Sequence, residues 1–180
     1  MKISILGLGN VGSVLASHLI ASDRICVDEL NIYDVNKKTL RGNYYDLLDM
    51  RDVLGKGTRI RTGVHESDVY IITAGKPRKS SKEEWNYPKN LQIVLNCVSK
   101  CGNNSKIMII TNPVERITNF LKRMGYKNVI PVGKYLDAAR FLRTRNDPEK
   151  VAVQILDSKG YTNFGVVAEV LKRLEAEEGT

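Results

Sequence analysis

The sequence predicts an α/β fold: a doubly wound parallel sheet followed by a long C-terminal helix. Three observations point there. Short apolar runs with the composition of buried strands recur along the chain. Stretches with apolar residues at helical spacing separate them, as in successive βαβ units. The first junction carries Gly7-Leu8-Gly9-Asn10-Val11-Gly12, a GxGxxG pattern between a strand and a helix. Right-handed crossovers place the carboxyl ends of parallel strands along one edge, and ligands bind at that edge. This is the Rossmann type of doubly wound fold.

The elements follow in order. Residues 2–7 (KISILG) form a buried strand and residues 13–21 an amphipathic helix. A second strand, 29–33, ends at Asp34. Residues 36–50 read as a helix with Asn36 as N-cap and Leu40, Tyr44, Leu47 and Leu48 on its apolar face. Residues 59–62 form a short strand, and 68–74 (DVYIITA) a buried one closed by Gly75. The Lys-, Pro- and Ser-bearing stretch 76–88 is a surface loop. A helix over 90–100 is capped near Gly102. Strand 106–111 is stopped by Asn112-Pro113, helix 114–124 has Gly125 at its end, and strand 128–132 leads to helix 135–143. Asn146-Asp147-Pro148-Glu149 is a helix start, with a capping residue, Pro at the first position and an acid in the first turn. Apolar positions continue through Val151, Ile155, Phe164, Val167, Val170, Leu171 and Leu174, with Gly160 kinking or dividing the helix. The polar residues 175–180 fray. The chain thus divides into a nucleotide-binding domain, 1–145, and a helical segment, 146–180, packed on it.

The glycine pattern carries the chemistry. Gly7 permits the tight turn, Gly9 lets the backbone approach a pyrophosphate, and Gly12 lets helix and strand pack closely. Asn10 and Val11 complete a loop whose N–H groups, at a helix N-terminus, hold phosphates. Asp34, about 20 residues on, accepts hydrogen bonds from the adenosine ribose hydroxyls and repels a 2′-phosphate. This favours NAD over NADP. A glycine-rich turn with no ligand is the plain alternative, and the acid and the βαβ setting disfavour it.

Bulk properties bound the rest. A chain of 180 residues with 42% apolar content is long enough for one domain with a real core. No run is long enough to span a membrane, and no N-terminal apolar signal segment is present. Three cysteines without such a signal indicate a reducing, cytoplasmic setting. Cys97 and Cys101 share a helix face. With no further ligand-type residues nearby they read as buried thiols, and no metal is expected. The net charge is +8, with the densest basic group at Lys76, Arg78, Lys79 and Lys82. No aromatic pattern is interleaved with it. A solvated surface plus an anion-binding loop therefore ranks above nucleic-acid binding.

By these motifs the sequence resembles the lactate/malate dehydrogenase family. The matching stretches are ILGLGNVGSVLA, Asp34, TAGKPRK from Thr73, NLQIV from Asn90, ITNPVERIT from Ile110, VGKYLDAARF from Val132 and KGYTNFG from Lys159. The resemblance implies NAD binding through Gly7, Gly9, Asn10, Val11, Gly12 and Asp34. It also brings Thr73, Ala74, Gly75 and Asn112 close to the cofactor. It makes Arg78 the loop arginine for a substrate's far carboxylate, and Arg140 the grip on its near carboxylate. Asn112 sits near the substrate oxygen, Thr162 lines the substrate pocket, and Asp137 is the acid that orients a catalytic histidine.

The chain departs from the family at two places. The carbonyl-polarising loop arginine falls at about Glu83 or Glu84, with only Lys82 nearby. The His-Gly strand that follows the LDxxR helix is absent, as if by an internal deletion, together with the final part of the second domain. Of the two histidines, His18 lies on the first helix and His65 is expected at the amino edge of the sheet. The expectation is an NAD(H)-binding protein with little or no dehydrogenase activity, whose partners are NAD(H) and a small dicarboxylate or 2-oxo acid. A divergent malate or lactate dehydrogenase and an NAD-responsive scaffold or sensor are the alternatives. The reduced second domain should leave apolar surface uncovered along residues 155–174 and so favour a homo-oligomer.

Overall fold

A computed structural model describes residues 1–178 apart from 79, 81, 103 and 146. Lys79 of the basic group and Asn146 of the expected helix start therefore lie outside the described residues. Six parallel strands form one sheet: β1 (Lys2–Leu6), β2 (Glu29–Tyr33), β3 (Arg59–Thr62), β4 (Val69–Ile72), β5 (Lys106–Ile109) and β6 (Val129–Pro131). Their order is β3-β2-β1-β4-β5-β6. The chain reverses its direction of winding between β1 and β4, and this is where doubly wound sheets open a crevice.

The helices are α1 (Gly12–Ala21), α2 (Lys37–Val53), α3 (Tyr87–Val98), α4 (Val114–Arg123), α5 (Lys134–Thr144), α6 (Pro148–Lys159) and α7 (Phe164–Glu178). They cover both sheet faces. On one, Leu15, Leu19, Leu40 and Leu47 of α1 and α2 bury against Ile3, Ile5, Leu30 and Ile32. On the other, Val94 and Val98 of α3 and Ile117 and Leu121 of α4 pack on Leu6, Tyr70, Ile72 and Ile109. Nearly continuous burial along the central strands is what a sheet covered on both faces requires.

Local chemistry sets the boundaries. The side chain of Asn36 accepts from the amides of Lys38 and Thr39 at 3.0 and 3.3 Å, as a helix N-cap does. Helix α3 starts at Tyr87, earlier than the expected 90, because Asn86 caps it through the Lys89 amide and Pro88 suits a first turn. Strand β4 stops at Ile72, short of the expected 74, because the Thr73 and Ala74 amides both turn to the Leu6 carbonyl.

No helix joins β3 to β4. The segment 63–68 crosses the sheet instead, and polar side chains receive it: Ser67 bonds the Ser4 hydroxyl at 2.8 Å and takes the Asn31 amide at 3.2 Å, while the Tyr70 hydroxyl donates to the His65 carbonyl at 2.9 Å. His65 therefore sits on this crossing segment, its ring against the Thr62 carbonyl at the end of β3, and not at the amino edge.

The C-terminal segment is two helices. Asp147 caps α6 through the Glu149 amide, and Gly160, at φ 85°, ends it in a left-handed turn that few other residues adopt. Helix α7 continues to Glu178, with Glu177 paired to Lys106 at 2.5 Å, so most of the stretch expected to fray is ordered helix. The expectation of an apolar face left uncovered along 155–174 is met at Phe164 and corrected for the inner positions of α7. Val167, Val170 and Leu174 are buried in the core cluster that includes α1. The exposed large apolar residues in this part of the chain are Tyr135, Phe141 and Leu142 on α5 and Phe164. Among the described residues, no helix is long and apolar enough to cross a membrane.

Candidate functional site: a cleft at the carboxyl edge of the sheet

Loops that follow β1, β4, β5 and β6 meet the α6–α7 turn around a cleft of about 590 Å³. Its lining includes Gly9, Asn10, Val11, Gly12, Thr73, Gly75, Arg78, Asn112, Asp137, Arg140 and Thr162. Gly7, Asp34 and Ala74, the other expected site residues, stand behind that lining.

The glycine loop is tightly built. A Cβ on Gly12 would fall 1.9 Å from the Gly7 carbonyl oxygen, so only glycine allows α1 to approach β1 this closely. Gly7 adopts φ 109°, and the Thr73 hydroxyl donates to its carbonyl at 2.6 Å. At Gly9 a Cβ would meet nothing within 4 Å; the backbone there faces open space. Among the described residues no side chain caps α1 at Val11, which leaves the helix N-terminus open to an anion. Asp34 holds the loop from behind. Its two carboxylate oxygens accept from the Leu8 amide at 2.7 Å and the Asn36 amide at 2.8 Å, and each keeps capacity for a ribose hydroxyl. An uncapped helix start, an open glycine backbone and an acid after β2 together fit a dinucleotide.

Across the cleft stand two arginines. Arg78 lays its guanidinium 4.3 Å over the ring of Trp85, and its buried Nε has no hydrogen-bond partner among the described residues. Arg140 is buried on α5. It donates to the Asp137 carboxylate at 3.0 Å, and its Nε is likewise buried with no hydrogen-bond partner among the described residues. Unsatisfied buried donors on cations are costly, and a ligand carboxylate is what satisfies them best. Neither histidine lines the cleft; His18 is exposed on α1, bonded to the Val14 carbonyl. Burial pushes the Cys97 thiol up to about 11 and the Cys101 thiol to about 12. Among the described residues no three metal-ligating side chains come together.

Three further residues shape the cleft that the sequence did not single out for the task. Asn90, buried, accepts from the Lys76 amide at 2.7 Å and donates to the Asn112 carbonyl at 2.7 Å, tying the loop after β4 to the turn after β5. Asn163 donates to the Asn10 carbonyl at 3.2 Å and accepts from Lys159, joining the α6–α7 turn to the glycine loop. Glu169 of α7 accepts from the Gly133 and Leu136 amides at the start of α5. Asn90 opens the NLQIV stretch and Asn163 lies in the KGYTNFG stretch, both visible signals; Glu169 has none.

Fold and loop together define a dinucleotide-binding domain of doubly wound type. Residues 1–130 match the lactate/malate dehydrogenase NAD-binding domain. The chain is 32% identical over 179 residues to an L-lactate dehydrogenase of Lactobacillus delbrueckii subsp. bulgaricus, covering 91% of this chain and 57% of that protein. It is 32% identical over 182 residues to a probable L-lactate dehydrogenase of Schizosaccharomyces pombe, covering 92% and 54%. The chain thus belongs to the lactate/malate dehydrogenase family, and its cofactor is NAD. It spans little more than half the length of these relatives. In fold it is similar to a malate dehydrogenase from Archaeoglobus fulgidus in complex with NADH, with TM-score 0.86, 22% identity, and coverage of 98% of this chain and 77% of that one. It is also similar to the minor L-lactate dehydrogenase of Enterococcus mundtii, with TM-score 0.78, 20% identity, and coverage of 97% and 76%.

Proposed function

We propose that this chain binds NAD(H) together with a small dicarboxylate or 2-oxo acid and turns the acid over slowly or not at all. The observation that carries the reading is the cleft itself: two arginines with orphaned donors line it, and no histidine does. NAD, when bound, supplies hydride chemistry at this edge of the sheet. Asp34 takes the ribose and the Gly9–Gly12 loop the phosphates. Arg140 holds the near carboxylate of the acid, and a planar guanidinium suits that bidentate task. Arg78, braced on Trp85, holds the far one, which favours a dicarboxylate. Asn112 stands near the substrate oxygen and Thr162 lines the pocket.

Reduction of a 2-oxo acid also needs a proton at the carbonyl oxygen. Asp137, the acid expected to orient a histidine, pairs with Arg140 instead. A positioned general acid contributes about 10²–10⁴-fold, and a charge-stabilising donor of the kind expected near Glu83 or Glu84 contributes about 10²–10³-fold. Without both, binding outlasts turnover. NADH oxidation with oxaloacetate, pyruvate and 2-oxoglutarate, at high protein concentration, should stay below about 1 s⁻¹, the low end of ordinary enzymes. Faster turnover with any of the three would overturn this reading in favour of a divergent dehydrogenase.

A further inference from the structure

We propose that Glu169 is the positioning residue for carboxylate recognition in this cleft: from α7 it fixes the start of α5, and through α5 the place of Arg140. The proposal rests on the reading of Arg140 given under Proposed function. Helix α5 is preceded by Gly133 as its N-cap residue, at φ 145° and with no side chain of its own to cap with, so the first amides need acceptors from elsewhere. Glu169 supplies them. Oε1 accepts from the Gly133 amide at 2.9 Å and Oε2 from the Leu136 amide at 3.0 Å, a cap brought from 36 and 33 residues away.

The carboxylate is 2% exposed, and burying a lone charge would be prohibitive. It is not alone. Arg173 donates to Oε1 through Nε at 3.1 Å and through its terminal nitrogen at 2.9 Å, and the same guanidinium lies 4.6 Å over the Tyr135 ring at the start of α5. The positive end of the α5 dipole adds to the balance. Packing at this junction leaves no slack, since a Cβ on Gly165 would lie 2.6 Å from Leu136 Cδ1. Arg140 follows two turns along α5 and is 9% exposed. A buried guanidinium on a short helix points where the helix puts it. Release of the N-terminus would let α5 shift, and small displacements of a carboxylate clamp are expensive.

The test uses the full chain, with NADH and oxalate as probes and Trp85 fluorescence as the readout. In Glu169→Ala, oxalate should bind the NADH-loaded protein about tenfold more weakly, the usual worth of a helix cap, while NADH affinity stays within about twofold. Glu169→Gln keeps one carbonyl acceptor and should lose about threefold. If the alanine variant loses its cooperative melt, the glutamine variant carries the test. Unchanged oxalate affinity, or equal losses for oxalate and NADH, overturns the proposal. Wild-type protein that takes NADH but no oxalate overturns the substrate reading instead. Glu169 is then judged by amide exchange over residues 133–140, which should quicken in Glu169→Gln relative to exchange in α1; equal protection overturns the positioning role.

Discussion

Gly9 and Gly12 lie in one loop, three residues apart, and the structure assigns them opposite sensitivities. A Cβ at Gly12 would sit 1.9 Å from the Gly7 oxygen and 2.8 Å from the Thr73 hydroxyl oxygen. Ordinary C···O contacts begin at about 3.3 Å, so the loop would have to open by more than an ångström. It is poorly able to do so. The Gly7 amide is bonded to the Tyr33 carbonyl at 2.8 Å, and its carbonyl accepts from Thr73. Overpacking of this kind costs about 3 kcal/mol, the top of the usual range. For a domain of this size that lowers the melting midpoint by about 6–12 °C. Gly9→Ala places its methyl in open space, so stability should change by less than about 0.5 kcal/mol. On the proposed reading the same methyl stands where a phosphate approaches, and NADH should bind about tenfold more weakly or worse. Thermal melts by circular dichroism and NADH titration by energy transfer from Trp85, the only tryptophan, measure both quantities. Equal melting midpoints for the two variants, or a Gly9→Ala protein with native NADH affinity, would refute the assignment of a packing role to Gly12 and an approach role to Gly9.

Three other outcomes follow from the site and its surroundings. Native protein should prefer NADH to NADPH, and Asp34→Ser should narrow the gap by roughly 1–3 kcal/mol, the worth of hydrogen bonds to a charged group; equal binding of both by the native protein would sink the role given to Asp34. Cys97 and Cys101 should resist a thiol reagent in native protein at pH 8 and react on unfolding, since burial holds their ionisation near 11 and 12. Their folded pKa lies above the ordinary thiol value, so the native state keeps protons that the unfolded chain releases. Stability should fall as pH rises from about 9 toward 11, and a flat urea midpoint for native against Cys97→Ala, Cys101→Ala protein across that window would count against it.

What could be read in advance was local. The glycine loop, Asp34 and the alternation of strands and helices are encoded in neighbouring residues, and the observed strands lie within the expected spans. The family resemblance singles out Arg78, Arg140 and Asn112, and parallel topology brings them to one cleft. The rest depends on partners far apart in sequence. Nothing near Glu169 says that its carboxylate meets Gly133, and nothing near Asn163 points to Asn10. The segment 63–68 could not be foreseen as a strap over the sheet, because its acceptance depends on Ser4 and Asn31 facing it from two other strands. The burial of α7 escapes a reading of the sequence for a related reason. An amphipathic stripe shows that a helix has a face to cover but not which element covers it, and α1 was already at hand.

The hydrogen bond from Asn163 to the Asn10 carbonyl joins residues 153 apart in sequence. A contact of such separation closes a long loop, at an entropy cost that the contact and its neighbours must repay. The cleft is complete only with the last helices docked, and it opens if they lift away. An occupant of the glycine loop that also touches the α6–α7 turn would hold the chain's last helices down. By reciprocity, whatever loosens those helices would be felt as weakened binding at the opposite end of the sequence.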